Sequence, residues 1–395
     1  MNPNKTNKIP AYLIMLMAVS AGITVANIYY NQPILKEIAS EFGVNEASAG
    51  LIPMLSQIGY GLGLFFITPL GDKVNKKTLI VSLQFLLISA LVLFYFSASI
   101  VHVWILSVLI GLFTVSVQVI MPMAAGLNPE QRGKNVGIVF TGLLIGILAA
   151  RVFSGAIADW LGWRNVYLVS LVAVGLTTVL LTLYLPAARP NFEGSYPKLL
   201  ASALQQFGRF KLLRRLSFIG ILQFGLLSAF WTTLTFHLGS SPFNFGSGTI
   251  GLFGIVAVAG ALVAPIMGKK ADAGGVTRVR FLAIGLIIFS VLIMWFFQHS
   301  VVAMVVGVLL LDIGAQSIQV SNVALMYTLD ESSHSRINTI YMTLFFTGGA
   351  LGTLAGILCW QFGGWNWVMI EMLVSAIGVI LLLNNERKEV GSTVK

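Results

Sequence analysis

The stretch Thr68-Pro-Leu-Gly-Asp72-Lys-Val-Asn-Lys-Lys77 recurs 200 residues later as Gly268-Lys-Lys-Ala-Asp272-Ala-Gly-Gly275. In each copy a short charged loop with one Asp separates two apolar runs, each long enough to cross a bilayer. A duplicated membrane half follows from that repeat. Composition agrees: 57% of residues are hydrophobic and 10% charged, with a mean hydropathy of +0.88, whereas a soluble domain carries about 25% charged residues. A hydrocarbon core of about 30 Å takes roughly 20 apolar residues per helix. Twelve such runs start near Tyr12, Ser48, Thr78, Val101, Val136, Asn165, Leu216, Thr249, Val279, Val301, Thr339 and Asn366. The expected fold is an all-α membrane protein of twelve transmembrane helices in two pseudo-symmetric six-helix bundles.

The bundles are read as residues 1–186 and 216–395, joined by a linker over 187–215, the only long hydrophilic segment. Within it, Lys198 to Arg215 places apolar residues at helical spacing among basic ones, the pattern of a helix lying on a membrane surface. The first span ends in Asn27-Ile-Tyr-Tyr-Asn-Gln-Pro33 and lacks a small-residue cleavage site, so it is read as retained. Twenty-one of the 24 Lys and Arg fall in segments on one side of the twelve spans. Lys36, Arg151 and Arg164 are the exceptions. By the positive-inside rule both termini are cytoplasmic, in a bacterial inner (plasma) membrane protein. Insertion topology and contact with anionic membrane lipids account for the net charge of +10, with no nucleic acid as partner. Cys359 is the single cysteine, so an intrachain disulfide and a thiolate metal cluster are both excluded. His102, His237, His299 and His334 share no ligand spacing, and neither a metal nor a cofactor is expected.

The loop at Thr68–Lys77 resembles the motif Gly-x-Leu-Ala-Asp-Arg-x-Gly-Arg-Lys of the major facilitator superfamily, with Leu70, Asp72, Lys73, Lys76 and Lys77 in register. Thr68 and Asn75 stand at its two glycines. The resemblance covers nearly the whole chain and implies a secondary transporter with no enzymatic activity, a monomer by family habit. It also implies that Asp72, Lys73, Lys76 and Lys77, with Asp272 in the second half, form a conformational latch. Asp72 would pair with nearby cations or with a helix N-terminus, where a carboxylate gains about 0.3 to 1 kcal/mol. A second repeat, Gly162-Trp-Arg-Asn-Val166 and Gly364-Trp-Asn-Trp-Val368, supports the duplication, and its tryptophans are read as interfacial anchors.

The fifth span carries Gly142, Gly146, Ala150 and Ser154 every fourth residue, a small-residue stripe that lets another helix approach. Arg151 stands beside it. The family's antiporter motif places Gly-Pro at Ala150-Arg151 and Gly-Gly at Ser154-Gly155, so that signature is not reproduced. Ser107 likewise stands where many members of the family place a membrane Arg. An Arg within hydrocarbon is costly unless it faces the protein interior and finds a partner. It is read either as a functional group or as half of a static salt bridge. The tenth span offers Asp312, followed by Gln316, Gln319 and Asn322 on the same helical face. Arg151 and Asp312 are therefore the expected proton-coupling pair. Expected substrate contacts are Asn27, Tyr30 and Asn31 in the first span, Gln118 in the fourth, Gln223 and Trp231 in the seventh, and Gln316 and Gln319 in the tenth. Glu371 belongs to a helix that is peripheral in the family. Stripes at Gly59, Gly61 and Gly63, and at Gly348, Gly349, Gly352 and Gly356, are read as surfaces that permit helix sliding.

Sparse polar groups among many Phe, Leu and Met residues suit an amphipathic organic solute better than a free sugar. The chain thus reads as a drug or metabolite:proton antiporter-like exporter working by alternating access. The short segments Ala-Ala-Arg151 and Asn27-Ile-Tyr-Tyr-Asn-Gln resemble a poorly characterised bacterial branch of the superfamily. Proton-linked uptake of an organic anion held by Arg151, and a non-transporting membrane receptor, remain the alternatives.

Overall fold

The computed structural model describes residues 10–127, 131–187, 194–270, 275–330 and 333–393. Among these residues the chain is helical with no strand. The first six spans are Ala11–Ala26, Glu46–Lys73, Lys76–Tyr95, Ile100–Leu127, Arg132–Leu161 and Trp163–Tyr184. The seventh to tenth are Lys211–Gly239, Ser247–Lys270, Val276–Phe296 and Val301–Met326. A final helical stretch, His334–Thr393, is broken by non-helical backbone at Gly363 and Gly364. It supplies an eleventh span over 334–362 and a twelfth over 365–393, which completes the expected count. Capping side chains mark several starts: Asn45 accepts from Ser48 N at 2.8 Å, Asn75 from Lys77 N at 3.0 Å and Ser99 from His102 N at 3.3 Å. Each satisfies an amide that the helix itself leaves unbonded. Asn75, at a glycine position of the family motif, thus ends the loop by opening the third span.

Helices within each half meet at glycines. A Cβ at Gly142 or Gly146 would overlap the backbone of Ala18 or Gly22 in the first span, and one at Gly352 would overlap Gly225 in the seventh. Gly59 and Gly63 pack in the same way on the fourth span, and Gly348 and Gly356 on the seventh. Of the two glycine stripes, Gly59, Gly63, Gly348, Gly352 and Gly356 therefore pack within their own half. Only Gly61 and Gly349 of those stripes face the other half, against Phe346 and Gln57 respectively. The fifth span also crosses the eighth, where Gly155 meets Ser247 and Gly251 meets the Arg151 carbonyl.

Trp163 and Trp365 of the tryptophan repeat differ from their interfacial reading, whereas Trp367 is 52% exposed. Gly162 and Gly364 both take positive φ, 87° and 62°, a conformation that favours glycine. Each turn directs the following ring inward, so Trp163 and Trp365 are 5% and 4% exposed. Trp163 Nε1 donates to Glu41 Oε2 at 2.5 Å, and Trp365 Nε1 to the Met294 carbonyl at 3.2 Å. Arg164 pairs with Glu41 at 2.7 Å and donates to the carbonyls of Tyr95 and Ser97.

The linker helix runs Tyr196–Arg209 and buries Leu199, Ala203 and Gln206 along one face. Ala203 packs with Leu213, Leu216, Met326, Ile337 and Tyr341. Its apolar face is covered by protein, which corrects the expectation of a helix whose apolar face lies in the membrane surface. Tyr196 Oη donates to the Phe66 carbonyl, and Arg209 pairs with Asp330 at 3.0 Å. Below, the membrane side that bears this helix is called the linker side and the other the far side.

Candidate functional site

Arg151 sits two thirds of the way along the fifth span toward the far side, and it is 6% exposed. Its guanidinium carbon lies 4.0 Å from the Trp231 ring centroid and 5.3 Å from that of Tyr29. Such contacts hold a cation by the ring quadrupole. Nε donates to Gln32 Oε1 at 2.6 Å, and among the described residues no other donation from this side chain occurs. Asp312 is 4% exposed. It is coupled electrostatically to Arg151, yet the two do not form a direct ion pair. Among the described residues Asp312 Oδ2 has no hydrogen-bond partner. The static salt bridge considered above is therefore absent. What exists is a buried cation clasped by two aromatic rings and an amide, with an unbonded carboxylate nearby.

Sequence reasoning identified Arg151, Trp231 and Asp312 but missed Tyr29 and Gln32. The α-helical pattern of the first span ends at Ala26; residues 27–31 form turns, and Gln32–Ile34 is a 3₁₀ turn. Spacing that assumes 3.6 residues per turn therefore picks the wrong neighbours. Asn27, expected at the substrate, uses its polar atoms inside the first half: Oδ1 accepts from Ser170 Oγ at 2.7 Å, and Nδ2 donates to the carbonyls of Ile23 and Thr24. Asn31 Nδ2 donates to the Ile28 carbonyl. Tyr30 lines a separate groove of about 860 Å³ between the first, fifth and sixth spans.

Other expected contacts divide between the halves. Gln118 Nε2 donates to Tyr60 Oη at 2.8 Å, and the Tyr60 ring lies 4.4 Å from Phe346 in the second half. Gln223 Nε2 donates to the Ala315 carbonyl at 3.2 Å, tying the seventh span to the tenth. Gln316 is half-buried. Gln319 accepts from Tyr341 Oη at 2.9 Å, and Asn322 is fully buried. The end of that polar face at Gln319 and Asn322 is thus enclosed by the eleventh span. Arg280, counted above among loop charges, lies inside the ninth span at 1% exposure and acts electrostatically on Tyr341. Glu371 accepts from Ser375 at 3.1 Å on the twelfth span, and Ser107 donates to the Val103 carbonyl.

The latch residues are partly described. Asp72 is half-buried, and the cations acting on it are Lys76 and, from the start of the eleventh span, Arg336. Lys76 is buried, Lys77 half-buried and Lys73 exposed. Asp272 lies outside the described residues.

Around the arginine the two halves are closed on the far side. Thr235 Oγ1 donates to the Gln32 carbonyl at 2.7 Å, and Lys36 Nζ to the Gly239 carbonyl. Ser247 Oγ lies 2.9 Å from the Pro33 carbonyl and 2.5 Å from Glu37 Oε1, while Trp360 Nε1 donates to Glu46 Oε2 at 2.6 Å. Nearer the middle, Gln57 Nε2 lies 3.4 Å from Ser228 Oγ. Glu37 belongs to the short helix Leu35–Phe42 at the far rim, outside the spans. Burial raises its pKa, opposed by the Ser247 hydrogen bond and reinforced by Asp159.

The model of the Major Facilitator Superfamily matches residues 15–352 and 216–394. The uncharacterised transporter YgaY of Escherichia coli is 38% identical over 371 residues, covering 94% of this chain and 94% of its own. The transporter SCO4007 of Streptomyces coelicolor is 30% identical over 369 residues, 89% of this chain and 82% of its own. Among solved structures, a bacterial homologue of the human lysosomal transporter Spinster, inward-facing and occupied, aligns with a TM-score of 0.73 at 13% identity, covering 95% of each chain. The human organic anion transporter MFSD10 aligns with a TM-score of 0.67 at 15% identity, covering 95% of this chain and all of that one. At those identities the two structures show a shared fold.

Proposed function

The chain belongs to the Major Facilitator Superfamily, and from that premise we propose that it exports small amphipathic organic molecules in exchange for protons by alternating access. It is a multi-pass membrane transporter by family and fold. In the proposal the linker side is cytoplasmic, a reading the distribution of Lys and Arg supports. The observation that carries the reading is the Arg151 site: a buried guanidinium against Trp231, with Asp312 near but unpaired. An aromatic-walled cation takes a molecule with an apolar body and an electron-rich or acidic end. An unpaired carboxylate at mid-membrane is a place for a proton, whose affinity there changes when the neighbouring cation is engaged by substrate. Gln57, which reaches Ser228, and Gln118, through Tyr60, supply further polar positions at the boundary between the halves.

Proteoliposomes with an imposed pH gradient test this. Flux of a hydrophobic acid dye should follow the gradient in the wild type. Asp312→Asn should retain dye binding and counterflow while losing the response to the gradient. An Asp312→Asn protein whose flux still follows ΔpH refutes proton coupling at this residue. A second reading, uptake of an organic anion, is favoured by the hydrogen bonding of Arg151: among the described residues only its Nε is engaged, which leaves the outer nitrogens for a carboxylate. Flux inward with protons, instead of against them, decides for it.

A further inference from the structure

Apart from the arginine site, the second and eleventh spans leave a crevice of about 450 Å³ between the two halves. That is within the roughly 300–1,000 Å³ of small-molecule sites. Its far end is closed where Gly50 packs on Ile357 and Phe236 and Trp360 bonds Glu46. Toward the linker side, Tyr196 holds the Phe66 carbonyl. Behind it stand the Tyr60 and Phe346 rings. It opens sideways, between Ile58, Leu62 and Phe66 on one lip and Leu351 on the other, all exposed where the hydrocarbon lies.

Two polar atoms in this apolar crevice have no hydrogen-bond partner among the described residues. One is Oε1 of Gln57, a residue 2% exposed, and the other is Oγ1 of Thr343. They come from opposite halves. Gly349 has no Cβ to obstruct the Gln57 amide. Among the described residues no side chain lining the crevice is titratable, so a charged head there would be desolvated without a partner. A neutral amide or hydroxyl head would instead donate to the Gln57 oxygen and accept from the Thr343 hydroxyl, with its apolar body along the leucines and phenylalanines.

We propose that this crevice is a membrane-open binding site for amphipathic molecules with a neutral amide or hydroxyl head, taken directly from the bilayer. Assigning it to substrate capture rests on the transport reading above; binding itself does not. Because Gln57 and Thr343 belong to different halves, rocking separates the two groups and releases the head.

The test is photolabelling of the full-length protein in phosphatidylcholine nanodiscs, without any gradient, by a diazirine-bearing long-chain primary amide and the matching diazirine alkane. Mass spectrometry should find the amide on residues 54–66 and 343–354 in several-fold excess over the alkane. Gln57→Leu should cut amide labelling about fivefold, the effect of one lost hydrogen bond in a buried site. Gly61→Leu should cut it as well while leaving both polar groups in place. A Cβ at Gly61 meets nothing closer than 3.8 Å, so the longer side chain fills the crevice without backbone overlap. Equal labelling by amide and alkane reports annular lipid alone and overturns the proposal, as does unchanged labelling in Gln57→Leu. If labelling holds but no solute moves in proteoliposomes, the site stands and the transport reading falls.

Discussion

Arg151 concentrates the chemistry at the scale of single residues. Its guanidinium carbon lies over the Trp231 ring, 4.0 Å from the centroid, a contact worth about 2 kcal/mol when desolvated. Arg151→Lys should therefore lower initial flux at least about tenfold, because an ammonium neither stacks nor offers a planar fork. Near-normal flux in the lysine variant would contradict a stacked, fork-like anchor. Trp231→Phe should retain more function than Trp231→Leu, read as apparent substrate affinity in the same assay. Arg151, Trp231 and Asp312 were legible because each is costly or conspicuous within an apolar run. Gln32 and Tyr29 were not, since the chain leaves the α-helix at Asn27 and the arithmetic that relates spacing to face stops applying there.

Between helices, the decisive feature is how closely backbones approach. A four-residue stripe drifts by about 40° per step around a helix of 3.6 residues per turn. Gly142 and Gly146 consequently face the first span, whereas Gly155, one residue beyond the stripe's last member, faces the eighth in the other half. The sequence displayed the stripe but not which neighbour each member meets. Gly352→Leu should destabilise the protein by about 1–3 kcal/mol or abolish its folding, because the added atoms overlap the seventh-span backbone. Gly61→Ala should leave thermal stability in detergent near that of the wild type. Equal melting temperatures for Gly352→Leu and Gly61→Ala would refute the packing assignment. Trp163 and Trp365 teach a related lesson: composition places tryptophan at a rim, but a left-handed glycine just before it turns the ring into the core.

For the whole molecule, the far-side closure sets a pH dependence. Burial raises the Glu37 pKa above its ordinary 4.5 in this closed form, so the closed form binds more protons than one in which Glu37 is hydrated. Far-side closure must then strengthen as pH falls from neutral toward the ordinary carboxylate range and weaken as pH rises through the raised pKa. A cysteine placed on the first or seventh span at the far rim should become less reactive toward a thiol reagent of pH-independent reactivity as acid is added. Glu37→Gln should flatten that response, and an opposite slope would refute the assignment. The twelve-helix plan and its two related halves were visible from hydropathy and repeats. Which side is shut was not, because closure rests on pairs such as Thr235 with Gln32 and Trp360 with Glu46, distant in sequence and unremarkable alone. The linker helix adds a last consequence. Fastened to Phe66 in one half and to Asp330 in the other, it is a strap across the hinge line, and parting the mouths beneath it must undo one buckle first. Cutting the chain within the strap should loosen that mouth without disturbing either bundle.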